Sequence, residues 1–208
     1  CLNTTFLGCP GQIEGCLTEY LVMPQACCIP LVKGMSLVEG SLIEPLSIGA
    51  YVVQLSGDLT AKKIGILGAG PIGLSVLQTI QNFTQTKTYV TDKLDYRLKA
   101  AKKLDADWVG NPDNIDIVTH IHQKESEQLD IVFECCGDPE ALEQSVDLLK
   151  PGGKLLLVGI PETDHITFNI SKLRRKEICI QNVRRQNDCI HEAIKIIQAN
   201  PVFAETLI

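Results

Sequence analysis

The stretch KKIGILGAGPIGLSVLQTIQNFTQTKTYVTDKLDYR, which runs from Lys62 to Arg97, decides the fold of this chain. Its short apolar run, Ile64–Leu67, is bounded by lysines and a glycine, which is typical of a buried parallel strand. An apolar-periodic helix follows the glycines, and a second strand then ends at Asp92, 22 residues beyond Gly70. A strand, a helix and another strand in this order predict a crossover unit of a parallel sheet.

Three glycines in the turn after the first strand form the pattern G-x-G-x-x-G. The first allows a tight turn, the second lets a pyrophosphate approach the backbone, and the third lets the helix lie close to the sheet. The helix start also presents N–H groups and the positive end of its dipole to a phosphate. We therefore interpret the following residues as dinucleotide-binding: Gly68, Gly70, Pro71, Ile72 and Gly73.

The acid at the end of the second strand, Asp92, extends this interpretation to the sugar. A carboxylate at this place accepts hydrogen bonds from both ribose hydroxyls of an adenosine and repels a 2′-phosphate, so the sequence favours NAD over NADP. Two other interpretations are a tight strand-to-helix turn without a ligand and a methyltransferase-type sheet. Gly73 and the spacing from the first strand to Asp92 argue against the methyltransferase.

From Asp58 onward, strand and helix patterns alternate to the end of the chain. Crossover helices of about 10 to 15 residues separate the strands. The pattern predicts an α/β fold with a doubly wound, six-stranded parallel Rossmann sheet, which binds its ligands at the carboxyl ends of the strands. The predicted strands are Lys63–Leu67, Lys87–Thr91, Asp107–Val109, Asp130–Glu134, Lys154–Gly159 and Glu177–Gln181.

The composition disfavours some classes of binding partner and some cellular settings. The formal net charge of −6 disfavours nucleic acid and anionic membranes, and no apolar run approaches the roughly 20 residues of a membrane span. The nine cysteines are an odd number in an α/β pattern, which favours a reducing, cytoplasmic setting over a disulfide framework.

The first 43 residues have a different character. Glycine and proline interrupt them repeatedly, and short strand-like pieces at Thr18–Met23 and Ala26–Ile29 predict the end of an irregular β domain. Ser36 then predicts the cap of an apolar helix, which we expect to be interrupted at Glu44-Pro45.

Several separate stretches resemble the zinc-dependent medium-chain dehydrogenases, and in particular the branch of sorbitol, polyol and threonine dehydrogenases. The resemblance covers nearly the whole chain. It rests on FLGCPGQIEGCLTEYLVMP, VEGSLIEPL (Val38–Leu46), GAGPIGL, TDKLDYRLKAAKKLDADWV, ECCG and KPGGKLLLVGIPE.

The resemblance implies a division of the chain. Residues 1–45 would be the last strip of a GroES-like β catalytic domain, 46–200 the Rossmann domain, and 201–208 the start of a return to the catalytic domain. The family's catalytic domain begins about a hundred residues earlier and carries a zinc-ligating cysteine and a G-H-E motif, so we expect the chain to be a fragment. Cys1 matches the fourth cysteine of a structural-zinc lobe.

The resemblance also implies roles for single residues. Glu44 matches a glutamate at the catalytic zinc, and Arg185 matches an arginine that reaches substrate or active-site water. Each also has a simpler interpretation: Glu44 as a solvated carboxylate on a helix, and Arg185 as a member of a solvated arginine pair. The glutamine at position 186, where the family often has an aromatic residue, leaves the substrate open.

The remaining candidate residues are predicted to contact other parts of a bound dinucleotide. Arg97 resembles the family arginine beside the adenine and its ribose, with a helix-surface arginine as the alternative, and Lys93 is a weaker candidate for the same place. Small or apolar residues at the ends of the fourth and fifth strands suit a flat nicotinamide ring. These are Cys136, Gly137, Val158, Gly159 and Ile160.

Together these features imply an NAD-dependent, zinc-containing dehydrogenase that oxidises a secondary alcohol of a polyol or similar small molecule. Two alternatives stay open, namely a zinc-free medium-chain reductase and an NAD(H)-binding module without catalysis. Family members often dimerise by joining sheet edges, so we expect a homo-oligomer, a dimer or tetramer, formed through the Rossmann domain.

Overall fold

The computed structural model describes residues 4–207, which form two compact units that meet in the sequence between Gly34 and Met35. The division at residues 45 and 200 that the resemblance implies stays a prediction. The prediction that Cys1 is a zinc ligand concerns a residue outside the described range.

The first unit contains almost no regular structure. Its described residues form a 3₁₀ turn at Gln25–Cys27 and isolated bridges from Ile13 to Leu7 and Cys9. The strands expected at 18–23 and 26–29 are therefore wrong. Side chains with high strand propensity are present, but Val22 is 98% exposed, so the packing that stabilises a pleated strand is missing.

The second unit alternates strands and helices along the chain. The helices are α1 Leu37–Ser41, α2 Ile43–Ser56, α3 Pro71–Ile80, α4 Asp95–Lys103, α5 Ile117–Lys124, α6 Pro139–Leu148, α7 Ile170–Lys176, α8 Ile190–Ala199 and α9 Pro201–Leu207. The strands are β1 Lys63–Leu67, β2 Lys87–Thr91, β3 Trp108–Gly110, β4 Leu129–Glu134, β5 Leu149–Leu157 and β6 Cys179–Asn182.

The strands form one parallel sheet in the order β3-β2-β1-β4-β5-β6. This is the strand order of a doubly wound dinucleotide fold, and it confirms the predicted fold class. The order reverses between β1 and β4, so the crevice above these two strands is where a ligand is expected. The crossover helices α3 and α6 have 10 residues, at the lower limit of the predicted length, whereas α4, α5 and α7 have 7 to 9 residues and are shorter than predicted.

Two local expectations need correction. The helix that begins after Ser36 has the predicted cap, a reciprocal capping box with Glu39. It is interrupted at Leu42 rather than at Glu44-Pro45. Pro45 lies in the first turn of α2, where the missing N–H group has no intrahelical partner to lose.

The fifth strand also begins earlier than expected. Leu149 pairs with Leu129, and the next pair joins Lys154 to Ile131, so the K-P-G-G stretch bulges out within β5 instead of preceding it. Leu149 is fully buried, which anchors the start of the strand ahead of the bulge.

The core lies against both faces of the sheet. Ile64, Ile66 and Val132 in the central strands are fully buried. Continuous apolar strands of this kind are typical of a parallel sheet covered by helices on both sides. Within residues 4–207, we find no helix whose length and apolar character would suit a membrane span.

A buried carboxylate, Glu125, ties together the amino ends of β1 and β2. It accepts hydrogen bonds from Lys63 at 2.7 Å, from Lys87 at 3.2 Å and from the Tyr89 hydroxyl. Burial raises the pKa of Glu125, but the three donors outweigh it and lower the pKa to about 2. Because the pKa lies below that of an ordinary glutamate, ionised Glu125 stabilises the folded state.

We predict that Glu125→Gln lowers the free energy of unfolding by about 3 kcal/mol at pH 7, which corresponds to the difference between an ordinary pKa and the lowered one. The difference from wild type should be full above pH 5 and disappear as the pH falls from about 4.5 to about 2, where wild-type Glu125 takes up its proton.

Urea unfolding at a series of pH values measures this difference. Glu127→Gln is the matched control, since Glu127 is 84% exposed and lies 3.6 Å from the same Lys63 amine. An exposed pair contributes at most about 1 kcal/mol, so equal losses in the two variants would contradict the prediction.

Candidate cofactor-binding site

A cavity of about 210 Å³ opens at the carboxyl ends of the strands, beside the point where the strand order reverses. Residues that follow β1, β2 and β4 surround it, together with the first turns of α6. Its lining consists of Gly68, Thr91, Asp92, Lys93, Leu94, Arg97, Pro112, Cys136, Asp138, Glu140, Ala141 and Gln144.

The turn between β1 and α3 needs glycine at two positions. Gly68 has a φ of +100°, which L side chains rarely adopt, and its N–H group donates to the Thr91 carbonyl at 2.8 Å. A Cβ atom on Gly73 would collide with the Gly68 carbonyl oxygen, so the helix can lie this close only without a side chain. At Gly70 a Cβ atom would have only Arg97 Nη1 nearby, at 3.8 Å, which leaves this position open to a ligand.

The start of α3 contains the two other predicted phosphate contacts. Pro71 is the first residue of the helix and Ile72 the second, and the N-cap, Gly70, has no side chain that could accept from the helix N–H groups. The first turn therefore offers its N–H groups to an external acceptor.

Asp92 lies on the cavity wall and is held from two sides. Its Oδ2 accepts the Ala69 N–H at 2.8 Å and its Oδ1 accepts the Leu94 N–H at 2.9 Å. The residue is 9% exposed, and its carboxylate joins the glycine turn to the end of β2. The predicted ribose acceptor therefore stands next to the predicted phosphate loop.

Two cations flank this carboxylate. Arg97 Nη1 lies 3.5 Å from Asp92 Oδ2, and its guanidinium lies 5.8 Å from the centre of the Tyr96 ring. Lys93 Nζ donates to Asp138 Oδ2 at 2.9 Å. The hydrogen bond and charge of Asp138 raise the pKa of Lys93. Lys93 therefore connects the two sides of the cavity lining.

The predicted nicotinamide residues of the fourth and fifth strand ends lie together. A Cβ atom on Gly137 would come within 2.5 Å of the Ile160 carbonyl oxygen, and one on Gly159 would collide with the Gly137 N–H group. The Val158 and Gly159 N–H groups both donate to the Glu134 carbonyl at 2.9 Å. The ends of β4 and β5 thus form one continuous surface.

Cys136 connects that surface to the glycine turn. A Cβ atom placed on Gly68 would lie 3.1 Å from the Cβ atom of Cys136. Cys136 also lines the cavity. Partial burial of the sulfur and the nearby Glu134 carboxylate raise the pKa of the Cys136 thiol to about 12, so it stays protonated near neutral pH. The pKa of the neighbouring Cys135 thiol is raised for the same two reasons.

Five of the predicted cofactor residues line the cavity, namely Gly68, Asp92, Lys93, Arg97 and Cys136. The other cofactor candidates belong to the adjoining turns and strand ends, and the two candidates for substrate and zinc do not line it either. Glu44 is exposed in the first turn of α2, and Arg185 is exposed after β6, with a φ of +55°. Within residues 4–207, no three His, Cys, Asp or Glu side chains are grouped so that they could hold a metal ion. The described residues therefore do not fit a zinc site, and we derive no step through zinc.

Sequence reasoning missed two acids at the end of β4. Asp138 lines the cavity and caps α6, with its Oδ1 accepting the Glu140 N–H at 2.8 Å. The Asp-Pro pair after a strand is a helix-start signal that could have identified it. Glu134 is 1% exposed, and the available signal was a charged residue that ends an apolar strand.

These features define the class of dinucleotide-binding α/β domains. They are a six-stranded sheet, an open cavity where the strand order reverses, and a glycine turn beside an acid at a strand end. Comparison with known proteins narrows the class. Residues 71–199, more than half of the chain, match the family model described as zinc-binding dehydrogenase. The chain belongs to this family, which confirms the resemblance seen in its sequence.

The chain is also similar to individual proteins whose names describe them as dehydrogenases. An uncharacterized zinc-type alcohol dehydrogenase-like protein of Escherichia coli (strain K12) is 36% identical over 186 residues, which cover 89% of this chain and 53% of the relative. The sorbitol dehydrogenase of Bacillus subtilis (strain 168) is 28% identical over 209 residues, which cover 100% of this chain and 59% of the relative.

The fold is also similar to the solved structure of a dehydrogenase. It is an oxidoreductase/dehydrogenase of unknown specificity from Escherichia coli, with a TM-score of 0.89 and 32% identity over 98% of this chain and 58% of that chain. The chain spans about half the length of the curated relatives it matches.

The different surroundings of two glycines give a test of the turn. Gly73→Ala should lower the free energy of unfolding by about 2–3 kcal/mol, because the new methyl group has to displace the backbone at Gly68. Gly70→Ala should change it by no more than about 0.5 kcal/mol but weaken NADH binding about tenfold or more, because its methyl group points into the phosphate position.

Urea unfolding and calorimetric titration with NADH separate these two effects. Each variant is the control for the other, since one methyl group is added to the same turn in both. Unchanged NADH affinity in Gly70→Ala would contradict the assignment of the open side of the turn to a pyrophosphate.

Proposed function

We propose that this chain binds NAD and supplies the cofactor-binding part of an NAD-dependent, zinc-containing alcohol or polyol dehydrogenase. The observation that carries the proposal is the Asp92 carboxylate, which lies on the cavity wall beside the turn of Gly68 and Gly70. The sorbitol dehydrogenase among the relatives supports a polyol or similar small alcohol as substrate.

The residues of this chain would bind and orient the cofactor in two halves. In the adenosine half, Asp92 would accept the ribose hydroxyls while Arg97 and Lys93 lie alongside. At the start of α3, the N–H groups of Gly70, Ile72 and Gly73 would hold the pyrophosphate, while Pro71, which has no N–H group, begins the helix beside it. Bound NAD would accept a hydride from the alcohol carbon.

In the nicotinamide half, the surface at the ends of β4 and β5 would support the ring. It has no bulky side chain at Gly137 or Gly159, and the protonated Cys136 thiol lies beside it. Val158 and Ile160 would complete this surface. Glu44 as a zinc ligand and Arg185 as a substrate contact stay predictions from the family resemblance.

The cofactor preference tests the role of Asp92. We expect the wild-type chain to bind NADH at least about tenfold more tightly than NADPH, because a 2′-phosphate would face the buried carboxylate. Asp92→Asn keeps the side-chain shape but removes the charge, so it should reduce this preference to within about threefold.

Calorimetric titration of both cofactors measures the ratio. Asp95→Asn is a matched control, since Asp95 is the next acid in the sequence and accepts from Asn111 at 2.9 Å without lining the cavity. Equal affinity of the wild type for NADH and NADPH would remove the role given to Asp92.

We also infer a homo-oligomer, a dimer or tetramer, formed through the Rossmann domain. Strand β6 lies at the end of the sheet and pairs within the described residues with β5 alone, so its outer edge can accept a strand of a second copy. Light scattering at micromolar protein concentration should give a multiple of the chain mass, and a single-chain mass would refute the inference.

A cytoplasmic setting stays a prediction. It is supported by the cysteines of the described residues, which all carry free thiols, as expected in a reducing compartment.

A further inference from the structure

The cofactor site described above gives no role to the side-chain hydrogen bonds of Glu134, although its carboxylate contacts the predicted nicotinamide surface at Gly137 and Gly159. Glu134 ends β4, one of the two strands at the reversal point of the sheet, and it is 1% exposed. A buried carboxylate costs several kcal/mol of desolvation unless hydrogen bonds offset it, so its contacts show what it stabilises.

Within the described part of the chain, the hydrogen bonds to this carboxylate come from the turn that follows it. Glu134 Oε1 accepts the Cys136 N–H at 2.7 Å, the Gly137 N–H at 2.6 Å and the Cys136 thiol at 3.0 Å. One oxygen therefore holds two successive backbone groups, which fixes the direction in which this turn leaves the sheet.

The second carboxylate oxygen reaches the neighbouring strand end. Glu134 Oε2 lies 2.7 Å from the place where a Cβ atom on Gly159 would stand, so it occupies the space that a side chain there would need. The Glu134 backbone carbonyl accepts the Gly159 N–H at 2.9 Å. Glu134 thus joins the turn after β4 to the end of β5 by its side chain and by its backbone.

These contacts concern one half of the site. The adenosine half is held by a different carboxylate, Asp92, which bonds to Ala69 and Leu94 on the other side of the glycine turn. Within the described residues, no hydrogen bond joins the Glu134 and Asp92 side chains. Cys136 also lines the cavity, but the two backbone contacts of Asp92 do not involve Glu134, so loss of Glu134 should leave the predicted ribose acceptor in place.

We propose that Glu134 is a positioning residue, which holds the Cys136–Gly137 turn against Gly159 as the platform for the nicotinamide half of a bound dinucleotide. This proposal rests on the proposed NAD binding. Glu134 does not touch the cofactor itself but acts through the backbone of Cys136 and Gly137.

The test compares a ligand that has the nicotinamide ring with one that lacks it. NADH and ADP-ribose share the adenosine and the pyrophosphate, and calorimetry measures both affinities on the wild-type chain, Glu134→Ala and Glu134→Gln. Glu134→Ala should bind NADH about tenfold more weakly, as expected for two lost hydrogen bonds to a charged acceptor, and should bind ADP-ribose within about twofold of wild type.

Glu134→Gln retains an amide oxygen that can accept both backbone N–H groups, so it should recover most of the NADH affinity. Glu143→Gln is the control, because Glu143 is exposed on α6 and does not line the cavity. Circular dichroism and thermal unfolding establish that each variant keeps its fold.

Each other outcome has a distinct meaning. If the wild type binds neither ligand, the proposed function fails and this inference fails with it. If the wild type binds both but Glu134→Ala loses both equally or neither, NAD binding stands and the positioning role is overturned. Loss of the fold in both variants would show that Glu134 supports the sheet as a whole, which also overturns it.

Discussion

The hydrogen bond from the Ala69 N–H group to the Asp92 carboxylate is the interaction on which the site depends. It joins the turn after β1 to the end of β2, and it sets the conformation of the glycine turn without a ligand. The ordering of this turn is then part of folding rather than of binding. A cofactor that enters a turn of fixed shape loses little affinity to ordering, which is the benefit of preorganisation.

The sequence predicted the sheet well because its information there is local. Each central strand is a short apolar run between turn residues, and G-x-G-x-x-G with Asp92 at the expected distance gives the register of the first crossover. The parallel order and the position of the cavity follow from the connectivity rules. Gly68, Gly70 and Gly73 could therefore be predicted from sequence, and the structure explains Gly68 by its positive φ and Gly73 by its close approach to the Gly68 carbonyl, while it leaves space at Gly70.

Prediction was weaker where tertiary packing decides. Residues 18–23 have strand-forming side chains but lack the burial that a strand needs, and propensity does not report that burial. The K-P-G-G stretch contains turn residues, yet buried Leu149 starts the strand ahead of it. Glu134 carried a sequence signal, as a charged residue that ends an apolar strand, but its burial could not be predicted because an acid at a strand end is normally solvated, and the three-dimensional contacts show that it is enclosed.

Glu125 and the cavity lie at opposite ends of the same strands. The five residues of β1 separate them by about 15 Å. Protonation of Glu125 therefore breaks hydrogen bonds at one rim of the sheet and none at the other. Protonation of Glu125 would thus lower the fraction of folded molecules without changing the cavity of those that stay folded. Each molecule would then either bind the cofactor normally or not bind it at all.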